Sequence, residues 1–326
     1  MKGASASVLN WIFVLLAGGS ILLFTFKALA IQAEITTIEV QGDLTDSMQS
    51  LVISREVGAK ADVDRQIPEI PFLFTCSEPC SPSLGCESSI QIQGAASFLE
   101  TTTEPIFSPA VVDSPRLLAF TLPYDVPFRG ANMVLLTTPN NHYQFPEQSE
   151  CSGTCAQVYS LIPSRLKAQL IVTQGASPVQ TARNITFTNN ALECTNSQDT
   201  VCIVANKIYY ANQTDIVGNP LGYDWVYPED IVAAIFADNP ESYECAMKKV
   251  YYKVKATAQI LEQKRAKLLG ATQITNCRVG YETSQIPLQN LTVHYDERYL
   301  PTLRANKEKL EERNAYLQRN TCAQIY

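Results

Sequence analysis

"YPEDIVAAIFADNPESYECAMKKVYYKVKATAQILEQKRAKLLG", residues 227–270, marks the point where strand spacing gives way to helical spacing. Pro228 followed by Glu229 and Asp230 predicts the start of a short helix, because proline suits the first helical position and acids suit the positive end of the dipole. Asn239-Pro240 predicts a second start, a cap followed by proline at the first turn. Tyr243, Met247, Val250, Val254 and Leu261 then recur at helical spacing, and Leu268 extends the stripe. Glu241 and Glu244 stand at the beginning and Lys264, Arg265 and Lys267 at the end, an order that complements the dipole, and Gly270 is the predicted stop. A last helix is predicted after Pro301, with Leu303, Leu310 and Leu317 on one stripe. Such stripes predict packing against the chain's own core rather than against a foreign helix.

Upstream, from Pro68 to Gln213, short runs of Ile, Val, Phe, Thr and Tyr alternate with Pro, Gly, Asn and Ser. "IPFLFTC", "SSIQIQGA", "RLLAFTLPY", "ANMVLLTTP", "AQLIVTQ", "RNITFTNN" and "VCIVANKIYY" each read as a strand. The strict alternation of "SSIQIQGA" and "RNITFTNN" predicts one wet face each, and the apolar "MVLLTT" predicts a central strand. The predicted class is α+β: an antiparallel β-rich body over 68–226, sandwich-like or half-barrel, with a helical region over 227–326 packed on it.

The 326 residues are 46% hydrophobic with a net charge of −7 and no long basic run, so no electrostatic footprint for nucleic acid is present. The first stretch, "MKGASASVLNWIFVLLAGGSILLFTFKALA", carries no charge between Gly3 and Phe26. Val8 to Phe26 are nineteen residues, and at ~1.5 Å each they span roughly 28 Å, the thickness of a bilayer's hydrocarbon core. Trp11 sits near one end, where aromatic belts lie, and Gly18-Gly19 suits close helix approach. The expectation is a membrane anchor over 1–27; a signal cleaved after Ala30, at the small-x-small Ala28-Leu29-Ala30, and a buried helix are the alternatives. Ile31, Ile35 and Ile38 continue the helical spacing, so 28–57 is expected to be an amphipathic helical stalk. Lys2 and Lys27 nearly balance the positive-inside rule, and the cysteines and Asn-x-Ser/Thr sites at Asn184, Asn212 and Asn290 favour a cytoplasmic N-terminus with an extracytoplasmic, glycosylated body.

"MKG" followed at once by an apolar helix resembles the class III signal of archaeal type IV pilins. The resemblance implies cleavage after Gly3, an apolar helix retained in the mature chain, and filament subunits or a homo-oligomer as partners. Val8 stands at the fifth mature position, where that family often carries Glu. "SVLNWIFVLLAGGSILLF" and "YECAMKKV" also resemble single-span surface proteins of small-genome archaea, and that likeness implies no activity.

Ten cysteines, Cys76, Cys80, Cys86, Cys151, Cys155, Cys194, Cys202, Cys245, Cys277 and Cys322, all follow the apolar span. Their even number predicts disulfides in an oxidising compartment, with Cys151–Cys155, Cys194–Cys202 and Cys245–Cys277 as the modest loops. No Cys-x-x-Cys pair exists, so a thioredoxin-type redox site has no support here. Cys76-x3-Cys80 with Cys86, or with Cys151-x3-Cys155, is the alternative as a zinc set.

The chain contains no Gly-x-Ser-x-Gly elbow, phosphate loop or His-Glu-x-x-His, and two histidines only. His142 in "PNNHYQF" is expected at a surface turn. His294 and Asp296 are expected on one face of an exposed strand end. Tyr223, Trp225 and Tyr227 crowd one loop, which either grips a glycan or partner or folds over the core. The expectation is a non-enzyme without cofactor or metal: a membrane-anchored extracytoplasmic structural or interaction protein, pilin-like. The alternatives are a membrane-tethered envelope hydrolase and a secreted protein.

Overall fold

The computed structural model describes residues 27, 62–67, 71–81, 85–92, 98–100, 105–125, 128–147, 150–173, 182–189, 200–214, 220–224, 227–293 and 300–326. The chain divides into two compact units, Met1–Met48 and Gln49–Tyr326, and all the elements that follow belong to the second. The expected anchor over Val8–Phe26, the stalk over 28–57 and the processing point at Gly3 lie outside the described residues.

The element order is β1 (Asp62–Gln66), β2 (Phe72–Ser81), β3 (Gly85–Ile92), β4 (Phe98–Glu100), β5 (Ile106–Phe107), β6 (Val111–Val112), β7 (Arg116–Asp125), β8 (Arg129–Thr137), β9 (His142–Phe145), α1 (Thr154–Leu161), α2 (Ser164–Leu170), β10 (Ile171–Thr173), β11 (Ala182–Thr188), β12 (Thr200–Val204), β13 (Lys207–Thr214), β14 (Pro220–Asp224), α3 (Pro228–Phe236), α4 (Pro240–Ala271), α5 (Thr275–Thr283), α6 (Gln285–Val293) and α7 (Leu300–Arg319). The class is α+β, with three sheets in the orders β1-β7-β8-β5, β4-β3-β2-β6 and β10-β9-β11-β12-β13-β14.

The antiparallel expectation holds for β1-β7-β8 and for the whole β4-β3-β2-β6 sheet. It holds also for β12-β13-β14, and fails where β5 pairs in parallel with β8 and in the rest of the six-stranded sheet, where β9 pairs in parallel with β10 and β11, and β11 with β12. The reason is a crossover: α1 and α2 fill 154–170 and return the chain to run alongside β9, and parallel neighbours require such a connection. "AQLIVTQ" accordingly ends a helix before it starts a strand, because β10 begins only at Ile171. "VCIVANKIYY" is two strands, folded as a hairpin at Ala205-Asn206 with Ala205 at φ 52°.

β7 and β8 are buried along nearly their full length, as "MVLLTT" predicts for a central strand. Leu118, Phe120, Leu122 and Tyr124 of β7 and Ala131, Met133 and Leu135 of β8 join the main core, and Leu117, Val134 and Leu136 on the opposite face are buried as well. Against that core lies α3, whose Ile231 to Ala237 are at most 2% exposed. Asp230 closes its first turn by accepting the Tyr227 amide at 3.0 Å. The 32-residue α4 begins as expected: Asn239 Oδ1 accepts the Ser242 amide at 2.9 Å and Ser242 Oγ accepts the Asn239 amide at 3.3 Å. Tyr243, Met247, Val250, Val254 and Ala258 form its buried stripe. Leu303, Leu310 and Leu317 of α7 are all buried, at 5% or less.

Among the described residues three cysteine pairs stand at disulfide distance: Cys76–Cys245, Cys151–Cys155 and Cys277–Cys322, with Cα–Cα separations of 6.0, 5.1 and 5.5 Å. The second is the expected one. The expected Cys245–Cys277 bridge is replaced, because Cys245 sits early in α4 and faces β2, whereas Cys277 in α5 faces the segment after α7. Loop closure makes the bridges unequal: in the chain-entropy account the 169-residue separation is worth ~5 kcal/mol, the 45-residue one ~4 and the four-residue one ~2.

Gly130 marks the tightest approach of strand to helix. A Cβ there would lie 3.0 Å from the Val254 Cα, on α4 backbone that cannot move aside. Gly130→Ala is therefore expected to cost about 1–3 kcal/mol in equilibrium denaturation, as overpacking does. Gly270, whose added Cβ meets nothing within 4 Å, is the control: Gly270→Ala should leave stability unchanged or raise it.

Candidate functional site: a polar cleft at the amino ends of β9 and β11

His142 opens β9 beside Ala182 of β11, and Tyr143 pairs with Arg183 in parallel register. With Pro109, Asn141, Phe236 and Asp238 these strand ends line a cleft of 120 Å³. Arg183 comes from β11 and reaches the end of α3. Its Nη1 donates to the Ile235 carbonyl at 3.0 Å and to the Ala237 carbonyl, and its Nη2 to the Asp238 carbonyl at 2.6 Å. Carbonyls at a helix C-terminus lack intrahelical partners and sit at the negative end of the dipole, so a guanidinium answers both needs. Asp238 in turn accepts from the Asn239 side chain at 3.0 Å, and its amide donates to Ser108 at 3.0 Å.

Size decides what the cleft can do. Drug-sized ligands occupy pockets of roughly 300–1,000 Å³, and a water takes ~30 Å³, so 120 Å³ accommodates a few waters or a small ion. His142, Asp238 and Arg183 line that space, with the Arg183 guanidinium committed to holding backbone. The half-buried His142 thus belongs to the wall of a cleft and is not fully exposed at a turn.

A second charged cluster stands at the sheet edge. Asp64 of β1 accepts from Arg116 Nε of β7 at 3.2 Å and from Arg165 of α2 at 2.5 Å. The hydrogen bond from Arg116 holds the Asp64 carboxyl below its usual range, with Arg165 adding to the effect against partial burial, which raises it. A third polar region lies under α7. Asn306 and Asn314 share the inward stripe of that helix with Leu303, Leu310 and Leu317. Asn314 donates to the Tyr326 carbonyl at 2.8 Å and accepts the Ile325 amide at 3.0 Å. Asn306 accepts from Asn290 at 3.5 Å. Burial pushes the phenols of Tyr210, Tyr227 and Tyr326 well above their usual value.

The remaining sequence candidates fall as follows. Cys76, Cys151, Cys155, Cys245, Cys277 and Cys322 are paired with one another, and Cys202 is also oxidised. The proposed zinc sets are broken up, since Cys76 goes to Cys245 and Cys151 to Cys155. The side chains of Cys80, Cys86 and Cys194 lie outside the described residues. Among the described residues no group of three or more His, Cys, Asp or Glu is placed to hold a metal. Asn184 is half-buried within β11 and Asn290 half-buried within α6, both inside regular elements, whereas glycosylation acceptors favour surface loops. Asn212 lies in β13. His294 and Asp296 lie outside the described residues, and the chain leading to them, through Val293, is helical where a strand was expected. Tyr223 packs against Tyr210 and Tyr243, and Tyr227 against Tyr124, so these two fold over the core; Trp225 lies outside the described residues. Among the described residues no helix is long and apolar enough to cross a membrane.

Comparison with protein-family models, curated proteins and solved structures finds no match.

Sequence reasoning missed Arg183 and Asp238 because 41 and 96 positions separate them from His142 and no spacing rule links them. Asn306 and Asn314 were within reach, since they fill helical positions between the three leucines.

Asp64 gives a pH test with a definite sign. A carboxyl held below its usual value stabilises the fold above that value, near pH 3.8, and the contribution disappears as pH falls through the lower folded value. Asp64→Asn should therefore lower the urea midpoint at pH 7, and the gap to wild type should shrink as pH falls below 3.8.

Proposed function

We propose that the chain is a membrane-anchored extracytoplasmic structural or interaction protein of the pilin-like kind, held by Val8–Phe26 with its body outside the cytoplasm. The observation that carries this reading is the Cys76–Cys245 pair, which stands at disulfide distance across 169 positions and joins a strand to the 32-residue α4. Together with Cys277–Cys322 it gives covalent ties that persist only in oxidising surroundings. The nineteen uncharged residues of the span supply the anchor, and the resemblance of "MKG" plus an apolar helix to a class III signal supplies the pilin-like part. The body would act through its surface, as a subunit or an adhesive contact.

The test is an intact-mass measurement on protein recovered from the membrane fraction and alkylated under denaturing conditions without reductant. The expected result is loss of residues 1–3 with the six paired cysteines unlabelled. A soluble protein with those cysteines alkylated would sink the reading. Loss of residues 1–30 would replace the anchor with a cleaved export signal.

A further inference from the structure

We propose that Cys151–Cys155 is a redox-active couple that exchanges with an external dithiol, an activity independent of how the chain is anchored. Its position in the sheet is the first argument. β9 lies between β10 and β11, and all three are parallel. The chain leaves the carboxyl end of β9 towards β10 on one side, and leaves β11 towards β12 on the other. That divergence is a topological switch point, where parallel sheets open a crevice outside their carboxyl ends. The segment that issues from β9 there carries Cys151, and Cys155 lies in the first turn of the following helix, α1.

The second argument is the asymmetry of the two sulfurs. Cys151 is half-buried and flanked by the exposed Glu150, Ser152 and Gly153. Cys155 is 3% exposed. An incoming thiolate can approach Cys151 only, which makes Cys155 the leaving group. α1 starts from Gly153, which has no side chain to cap it, so the first-turn amides remain available to a thiolate at Cys155. A leaving thiolate stabilised in this way departs faster. The third argument is that this ring of four positions ties together no distant elements, unlike the bridges across 169 and 45 positions. Structural need does not account for it as it accounts for them.

The step balances as follows. The thiolate of the external dithiol bonds to Cys151 Sγ while the Cys151–Cys155 bond breaks, and its electron pair stays on Cys155. The second thiol of the dithiol loses its proton to water and attacks its own partner sulfur, closing a disulfide in the external molecule. Cys151 departs as a thiolate and takes up a proton. Two electrons pass from the external dithiol to the Cys151–Cys155 pair, so the forward direction oxidises a dithiol substrate, and the reverse direction reduces an external disulfide.

The test uses the purified full chain with dithiothreitol under native conditions, followed by alkylation and peptide mapping. Cys151–Cys155 is expected to be reduced at least about tenfold faster than Cys277–Cys322, with near-ultraviolet circular dichroism unchanged. A second variant keeps the inference falsifiable. Cys155→Ser should trap a mixed disulfide at Cys151 with dithionitrobenzoate, whereas Cys151→Ser should leave the buried Cys155 unreactive until the chain unfolds. Reduction of both pairs together, only on unfolding, would overturn the proposal, as would the absence of a mixed disulfide in folded Cys155→Ser.

Discussion

The ring of Phe236 meets Phe120 of β7 edge-on at 5.1 Å and lies 4.8 Å from Tyr143 of β9. Those two contacts place the end of α3 between a strand of the four-stranded sheet and a strand of the six-stranded one. The helix has no polar face from Ile231 to Ala237 to turn towards water. It therefore requires cover on all sides, and two sheets, α1 and α4 provide it. Each fully buried Ile, Val or Phe side chain there is worth about 1.5–3 kcal/mol relative to exposure. The same demand explains Arg183: a helix enclosed this completely cannot send its last carbonyls to solvent, so a side chain from the adjoining strand must reach them.

The helical third of the body was largely legible. Asn239-Pro240 sets the start of α4 and the Tyr243-to-Val254 stripe its buried face, because caps and periodicity are local signals. The end is one residue beyond the expected stop, since Ala271 is still helical. The strands were legible as strands, but their pairing was not. Register and direction depend on what the intervening chain does, and 154–170 carries weak helical signals: α1 lacks a side-chain cap and α2 has only seven residues. An all-antiparallel body gives that segment no helix, which removed the crossover and with it the parallel half of the sheet. The Cys245–Cys277 pairing failed for the same reason. Loop length favoured Cys245–Cys277, whereas the contact between α4 and β2 that brings Cys76 to Cys245 spans 169 positions.

Three polar side chains share one feature: each serves backbone belonging to another element. Arg183 holds the end of α3, Asn314 holds Ile325 and Tyr326, and Arg265, while paired with Glu262 at 2.7 Å, reaches the Tyr281 carbonyl at 3.2 Å. Asymmetric amide and guanidinium contacts of this kind fix one arrangement of helices where leucine stripes alone would tolerate several. They also explain why the cleft beside Arg183 is small, because the cation that lines it is already occupied with structure.

The Cys76–Cys245 tie also has a mechanical meaning. Fully drawn out, 169 residues would lengthen a chain by roughly 560–610 Å at 3.3–3.6 Å each. With the sulfurs joined, a tensile load entering before Cys76 and leaving after Cys245 bypasses that whole length. Cys277–Cys322 repeats the bypass for 45 more residues. While oxidised, the body cannot lengthen through either loop, and reduction would release both.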